Sequence, residues 1–453
     1  MILNKMSGAT KVILDSITSM FSQLADKYFD FYNAIGDKVY LFYINYSRII
    51  LDYIHSISDG TFKILIYFTA TLAFIYLFMG FSSLIRKKSR EKLLKPGTEP
   101  SVTIQIPTYN ELAAINCAKK CLGFDYPSEK FEIIIGDDSS DKSISNKIDE
   151  FALKHSDMVR VTRRGKNIGY KPGNLNHMLK ISNGEILVIF DSDFLPEKDF
   201  LKRIASPFTF DKNLSVVQAR WNIKNFSQNI YSVVGGTVSL LCHNVALPFM
   251  KMIKGNAFLC GSAEAIRKDD VIKAGGWRLG SLTEDIECSL RLMIQGKKLY
   301  YLEDLECKCE APQNFPDLCR QQKRWAYGVI ASFKMHFFNL LKSKKANKSD
   351  KITVLIFASG YVFSVLLLFI TFFGLLSVFS NKPAPIDWPL FLSETFFNIS
   401  ITSGFLLSSV IALYMARKIK EIPRMLAGAL SVGLIVTFNV NIGVFKALFG
   451  RQM

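Results

Sequence analysis

The stretch Gly184–Phe194 reads GEILVIFDSDF, and its reading decides how the middle of this chain folds. Ile186–Phe190 is an unbroken apolar run rich in β-branched side chains and too short for a buried helix. It predicts a strand buried on both faces, the kind found in a mostly parallel sheet covered by helices. Runs of the same character lie on either side: VTIQIPTYN from Val102, FEIIIGDDSSD from Phe131, MVRVTRR from Met158, LSVVQARW from Leu214 and LYYLEDL from Leu299. Helical stretches separate them, so the expected fold is α/β with a Rossmann-like, mostly parallel sheet. Ligands bind beyond the carboxyl ends of the strands in such sheets. Here the polar clusters stand at those ends.

Asp191-Ser192-Asp193 follows the first strand directly. In an extended segment residues i and i+2 point to one side. Two carboxylates projecting together suit a divalent cation that also binds substrate phosphates, although a solvated turn explains a lone pair of this kind equally well. A second acidic cluster, Asp137-Asp138-Ser139-Ser140-Asp141, ends another strand and also reads as a capped entry to a helix. Lys171, on GYKPGNLN, which reads as a glycine-rich loop, can offset phosphate charge. In Thr283-Glu284-Asp285, Thr283 is a candidate N-cap of a helix closed by Gly296, and Asp285 falls in its first turn, where the dipole favours negative charge. Helix-end stabilisation and catalysis both account for it. FPDLCRQQKRWAYG is helical after Pro316, which puts Gln321, Arg324 and Trp325 on one face. An amide, a guanidinium and an indole on one stripe suit a diphosphate and a sugar ring.

Farther out the composition changes. Of the 453 residues 49% are hydrophobic, and the runs Ile64–Ile85, Ile352–Phe379, Phe397–Ala416 and Met425–Phe445 each reach the about 20 residues that cross a bilayer. Residues 1–61 read as an amphipathic segment, with Arg48 and Asp52 arguing against a further span. The expected organisation is this segment, a membrane helix over 62–86, a cytosolic domain over 96–341 and three membrane helices over 350–449. The net charge of +17 concentrates in RKKSR after Ile85, in KSKKANKSDK (Lys342–Lys351) and in RKIKEIPR after Ala416, whereas the Ser380–Phe396 loop has only Lys382. That asymmetry places the large domain in the cytosol and turns the excess charge into topology and lipid contact, which argues against nucleic acid. The eight cysteines all lie in that region, so they are expected reduced, and Cys307 and Cys309 read as ordinary strand residues. The sequence shows no signal peptide, and no regulatory domain is expected after the last span.

The ordered set IPTYNE, DDSSD, GYKPGNLN, DSD, FLCGS (Phe258–Ser262), TED and Gln321–Trp325 as QxxRW resembles family 2 glycosyltransferases of the processive, cellulose synthase-like branch, which includes cellulose, mannan and hyaluronan synthases. The resemblance runs from Ser101 to about Gly328. It implies a GT-A fold and inversion at the anomeric carbon, with Mg²⁺ or Mn²⁺ as cofactor. It further implies that Asp138 contacts the base or ribose, that Asp191 contacts the nucleotide, and that Asp193 with Asp191 holds the metal. Lys171, Gln321 and Arg324 would face the diphosphate, and Asp285 would be the general base. Trp325, Phe258, Cys260, Gly261, Ser262 and Glu284 would form the acceptor site. The implied partners are a nucleotide diphosphate sugar, a glycan acceptor and the bilayer, with a homo-oligomer or accessory subunits left open. VVQARWN (Val216–Asn222) looks like plant mannan and glucan synthase-like members, whereas FLCGS looks like bacterial cellulose synthases. UDP-glucose is the favoured donor on this reading, with GDP-mannose and UDP-N-acetylglucosamine as alternatives. Transfer of one sugar to a lipid, or a dead transferase acting as transporter or scaffold, are the competing functions. The expected location is the cell membrane, multi-pass.

Overall fold

The structure is a computed structural model and describes residues 8–86, 97–382 and 387–450. Lys87, Lys88 and Arg90 of the first basic run, the domain start at Pro96, and part of the Ser380–Phe396 loop lie outside the described residues.

The chain divides into two compact units. The first comprises Met1–Leu65 and Phe369–Phe391. Gly8–Ile85 is one helix of 78 residues, so the described part of the segment expected to be amphipathic and the span after it form a single element. Arg48 and Asp52, which argued against a span, pair on that helix at 2.5 Å, and Asp52 also meets Lys382 at 3.4 Å. His55 Nδ1 lies 2.9 Å from the Ser377 carbonyl.

The second unit, Ile66–Leu368 with Leu392–Met453, contains a seven-stranded sheet in the order β3-β2-β1-β4-β6-β5-β7. The strands are β1 Val102–Thr108, β2 Phe131–Asp137, β3 Val159–Thr162, β4 Ile186–Ile189, β5 Leu214–Ile223, β6 Glu264–Arg267 and β7 Lys298–Cys309. Every residue of β1 and β4 is buried, as expected of strands covered on both faces. All neighbours run parallel except β6, which is antiparallel to both β4 and β5. The reversal matters for the site, because the turn that precedes β6 then lies at the rim where the other strands end.

The helices long and apolar enough to cross a membrane number four among the described residues, or five if the bent pair Trp388–Thr402 and Gly404–Met415 is one span. The run Met425–Phe445 is broken at Ser431 into Ile422–Leu430 and Val432–Phe449. One of the four, Ile230–Met252, qualifies by composition although its most apolar stretch is 83% buried.

Small residues set how these helices pack. A Cβ on Gly404 would lie 1.9 Å from the Ala73 carbonyl oxygen, and one on Gly443 would lie 2.6 Å from that of Lys323. The Gly443 contact seats Val432–Phe449 directly behind the QxxRW segment, and Leu318, Ala326, Ile330, Val436, Val440 and Val444 fill the seam. On the other side of the Phe315–Lys342 helix, a Cβ on Gly328 would lie 2.4 Å from Cγ2 of Thr283, and His336 Nε2 sits 2.8 Å from Glu287 Oε1. One helix is thereby fixed against the membrane bundle and against the TED segment. Gly328→Ala is expected to lower the melting temperature, as overpacking costs about 1–3 kcal/mol. Adding Thr283→Ala should recover part of the loss, and thermal melting of the single and double variants checks it.

Candidate active site

The carboxyl ends of β1, β2, β4, β5 and β7 open on one cleft of about 590 Å³. Its lining brings together Asp138, Lys171, Asp191, Asp193, Cys260, Gly261, Glu284, Asp285, Gln321, Arg324 and Trp325, from segments far apart in sequence. Phe258 and Ser262 do not line it. Phe258 is fully buried against Phe333 and Phe357, whereas Ser262 Oγ accepts the Asp191 amide at 2.8 Å and its carbonyl accepts Trp221 Nε1 at 3.1 Å.

GYKPGNLN, read as a loop from its glycines, opens the Tyr170–Ile181 helix instead. Gly169 caps it at φ +72°, a left-handed conformation glycine adopts without strain, and Pro172 is tolerated in the first turn. Lys171 Nζ therefore enters the cleft, where it donates to Asp191 Oδ1 at 2.6 Å and the Gly261 carbonyl at 2.7 Å, and lies 3.5 Å from Glu284 Oε1. Burial opposes its charge, but Asp191 and Glu284 outweigh that and hold the ammonium above the usual lysine range. Gly261, at φ +90°, is pressed between the two charged groups: a Cβ there would lie 3.1 Å from Asp285 Oδ2 and 3.5 Å from Lys171 Nζ.

Asp191-Ser192-Asp193 forms a turn, closed by Phe194 N donating to the Asp191 carbonyl at 3.1 Å, rather than the extended segment expected. Both carboxylates still face the cleft. Asp193 accepts the Glu310 amide at 3.2 Å, and Ser192 bonds Glu111. Burial, then the charges of Asp191 and Glu111, push the Asp193 carboxyl up to about 6. Among the described residues, no three carboxylates bring their oxygens within 4.8 Å of one another. A carboxyl raised by crowded neighbouring acids fits a divalent cation, and so open a set would complete its shell with oxygens of a bound diphosphate.

Thr283 is the N-cap of the Glu284–Ile294 helix, but its hydroxyl turns to Ser332 Oγ at 3.5 Å instead of capping. Glu284 is buried and Asp285 partly exposed. Burial and the neighbouring Glu284 raise the Asp285 carboxyl to about 7, against the Ile286 amide, Lys171 and Arg324, which lower it. Gln321, Arg324 and Trp325 line the opposite wall from one helical stripe; Arg324 is exposed and Trp325 half-buried, outside the core.

Sequence reading missed three contributors. Glu111 and Glu310 stand beyond the ends of β1 and β7, and their signal was the one used for Asp191, an acid just past a buried strand. Arg164 gave no signal. Its Nε donates to Asp138 Oδ1 at 3.0 Å and its Nη2 to Oδ2, while Nη1 donates to the Ile168 carbonyl at 2.6 Å and Nη2 to Asn167 Oδ1 at 3.0 Å. Asp138 thus enters the cleft as half of an ion pair that also shapes the loop beside it.

Residues 100–328, half of the chain, match the family model for glycosyltransferase-like family 2. The chain belongs to that family. Over 282 residues this family 2 glycosyltransferase is 29% identical to glucomannan 4-beta-mannosyltransferase 2 of Arabidopsis thaliana, covering 60% of this chain and 52% of that protein. Over 266 residues it is 29% identical to glucomannan 4-beta-mannosyltransferase 1 of Oryza sativa subsp. japonica, covering 56% and 50%. The chain spans about half the length of these relatives, which are of the cellulose synthase-like kind expected from the motifs. Among solved structures it shares its fold with a mannosyltransferase from Pyrobaculum calidifontis in complex with GDP-mannose and Mn²⁺. The TM-score is 0.61 at 18% identity, covering 88% of this chain and all of that one. The GT-A fold expected from the motifs is the fold found.

The Arg164–Asp138 pair is 11% and 7% exposed. Arg164→Met is expected to destabilise the domain by about 3–5 kcal/mol, because it leaves a buried carboxylate uncompensated. Arg164→Met with Asp138→Asn should cost clearly less, which denaturation of the two variants compares.

Proposed function

We propose that this family 2 glycosyltransferase is an inverting, metal-dependent membrane enzyme that elongates a β-linked polysaccharide from a nucleotide diphosphate sugar at the cytosolic face. The observation that carries this reading is the cleft itself. It holds strand-end carboxylates suited to a cation–diphosphate, the raised carboxyl of Asp285, and the Gln321–Arg324–Trp325 stripe on a helix fixed against a membrane helix.

The donor's base or ribose lies toward Asp138 and its diphosphate toward Lys171, Gln321 and Arg324, with the N-termini of the Tyr170–Ile181 and Glu284–Ile294 helices adding partial positive charge. Asp193 and Asp191 would hold a divalent cation, which when bound would neutralise charge on the diphosphate. Asp285 takes the proton of the acceptor hydroxyl, whose oxygen forms the bond to the anomeric carbon as the bond to the diphosphate oxygen breaks. Trp325 offers its face to the terminal acceptor ring. Cys260, Gly261 and Glu284 border that ring, and Phe258 and Ser262 support the wall from behind. Sequence motifs favoured UDP-glucose. The mannosyltransferase relatives move GDP-mannose to the front of the donors to test.

Membranes containing the protein, given labelled GDP-mannose, UDP-glucose and UDP-N-acetylglucosamine separately, should incorporate sugar into high-molecular-weight product from GDP-mannose, and EDTA should abolish it. Product limited to a single sugar on a lipid would replace polymerisation with single transfer. Absence of transfer from every donor would contradict the enzyme reading.

Asp285 must be deprotonated to accept a proton, so kcat/KM should fall about tenfold per pH unit below about 7 and level off above it. Asp285→Asn should lose about 10²–10⁴-fold in rate, keep donor affinity and lose that acidic limb. A collapse of nucleotide affinity instead would make Asp285 a binding residue.

A further inference from the structure

Behind the Cys260 wall of the cleft stand two side chains with no part in the chemistry above. Cys242 and His243 lie between the Ile230–Leu241 and Leu247–Met252 helices, and Cys260 lies in the turn before β6. The two thiol sulfurs and a ring nitrogen of His243 all fall within 4.8 Å of one another. We propose that Cys242, His243 and Cys260 form a binding site for a soft divalent cation of the zinc class.

The backbone offers a second, independent observation. Cys242–Ala246 is a π-turn, closed by Leu247 N donating to the Cys242 carbonyl, inside an otherwise α-helical stretch. Single π-turns concentrate at functional sites because they re-aim consecutive side chains at a cost in helix geometry. This one presents Cys242 and His243 together toward Cys260. It is held from several sides: Tyr301 Oη donates to the His243 carbonyl at 2.6 Å, Arg220 Nη1 to Asn244 Oδ1 at 3.3 Å, and the His243 ring stacks on Trp221 with centroids 5.0 Å apart.

The donor set selects the metal. Two thiolates and an imidazole suit zinc and disfavour magnesium or calcium, which take oxygen. In tetrahedral zinc, bonds of about 2.3 Å to sulfur and 2.0 Å to nitrogen put ligand atoms about 3.5–4 Å apart, so side-chain rotation closes the remaining gap. Charge also balances. Two thiolates neutralise the cation while the imidazole stays neutral, as a largely buried site requires. Both thiols release their protons to solvent as the metal binds, and the fourth position is left for water. The bound cation would tie the Cys260–Gly261 wall of the cleft to the helix beneath it, at a place distinct from the cation expected at Asp191 and Asp193.

The test uses the full-length protein purified in detergent under reducing conditions from zinc-supplemented cells. Elemental analysis should find about one zinc per chain. Cys242→Ser and His243→Gln should lose it, and Cys319→Ser should keep it. Replacing zinc by Co²⁺ should give a thiolate-to-cobalt charge-transfer band, absent in Cys242→Ser. If the Cys242 variant fails to fold, thiol titration of the wild-type protein decides, with two fewer reactive thiols when zinc-loaded than when stripped. Zinc at background in the wild type, full zinc in a folded Cys242→Ser protein, a cobalt spectrum without the thiolate band, or a Cys242–Cys260 disulfide would each overturn the proposal.

Discussion

The Lys171 ammonium joins the end of β4 at Asp191, the turn before β6 at the Gly261 carbonyl and the start of the TED helix at Glu284. The same segments carry carboxylates whose charges oppose their approach. Asp191, Asp193, Glu111, Glu284, Glu264 and Asp285 crowd one rim, and the raised carboxyls of Asp193, Glu264 and Asp285 record the strain of placing so many acids where water is scarce. Lys171 relieves part of it from within the protein. The remainder favours a cation that approaches from outside.

The antiparallel strand β6 explains why the Cys260–Gly261 wall stands where it does. A parallel strand in that place would carry its preceding turn to the far edge of the sheet. Reversed, it sets Cys260 and Gly261 opposite Asp285, with Glu264 Oε2 accepting the amides of both at 3.0 and 2.9 Å. The Phe315–Lys342 helix closes the cleft from the other side. Glycines line its contacts with Thr283 and with Val432–Phe449, so Gln321, Arg324 and Trp325 stand on backbone packed closely against both.

Much of this was legible in the sequence, and the exceptions have physical causes. Buried parallel strands announce themselves as short apolar runs, and acids just past them mark the rim, which located Asp138, Asp191 and Asp193. Helical spacing placed Gln321, Arg324 and Trp325 on one stripe. Glycine and proline in GYKPGNLN suggested a loop, because the same residues serve a left-handed N-cap and a first helical turn. The direction of β6 leaves no trace in composition, since Glu264–Arg267 is only four residues long. Arg164 and the Cys242–His243–Cys260 cluster were invisible for another reason: their meaning lies in contacts across 26 and 17 or more residues of sequence, which no local pattern encodes. Phe258 and Ser262 show the converse, a motif whose members divide between the lining and its support.

The central claim is that donor activation and acceptor docking meet in this cleft as separable functions, the second resting on Trp325. The most direct measurement follows, in one preparation of Trp325→Ala, both polymer extension and the release of free sugar from the donor by water. The account predicts that extension falls about tenfold or more while hydrolysis continues near the wild-type rate, and that Trp325→Phe keeps part of the extension. A folded Trp325→Ala protein that extends chains at the normal rate would contradict it.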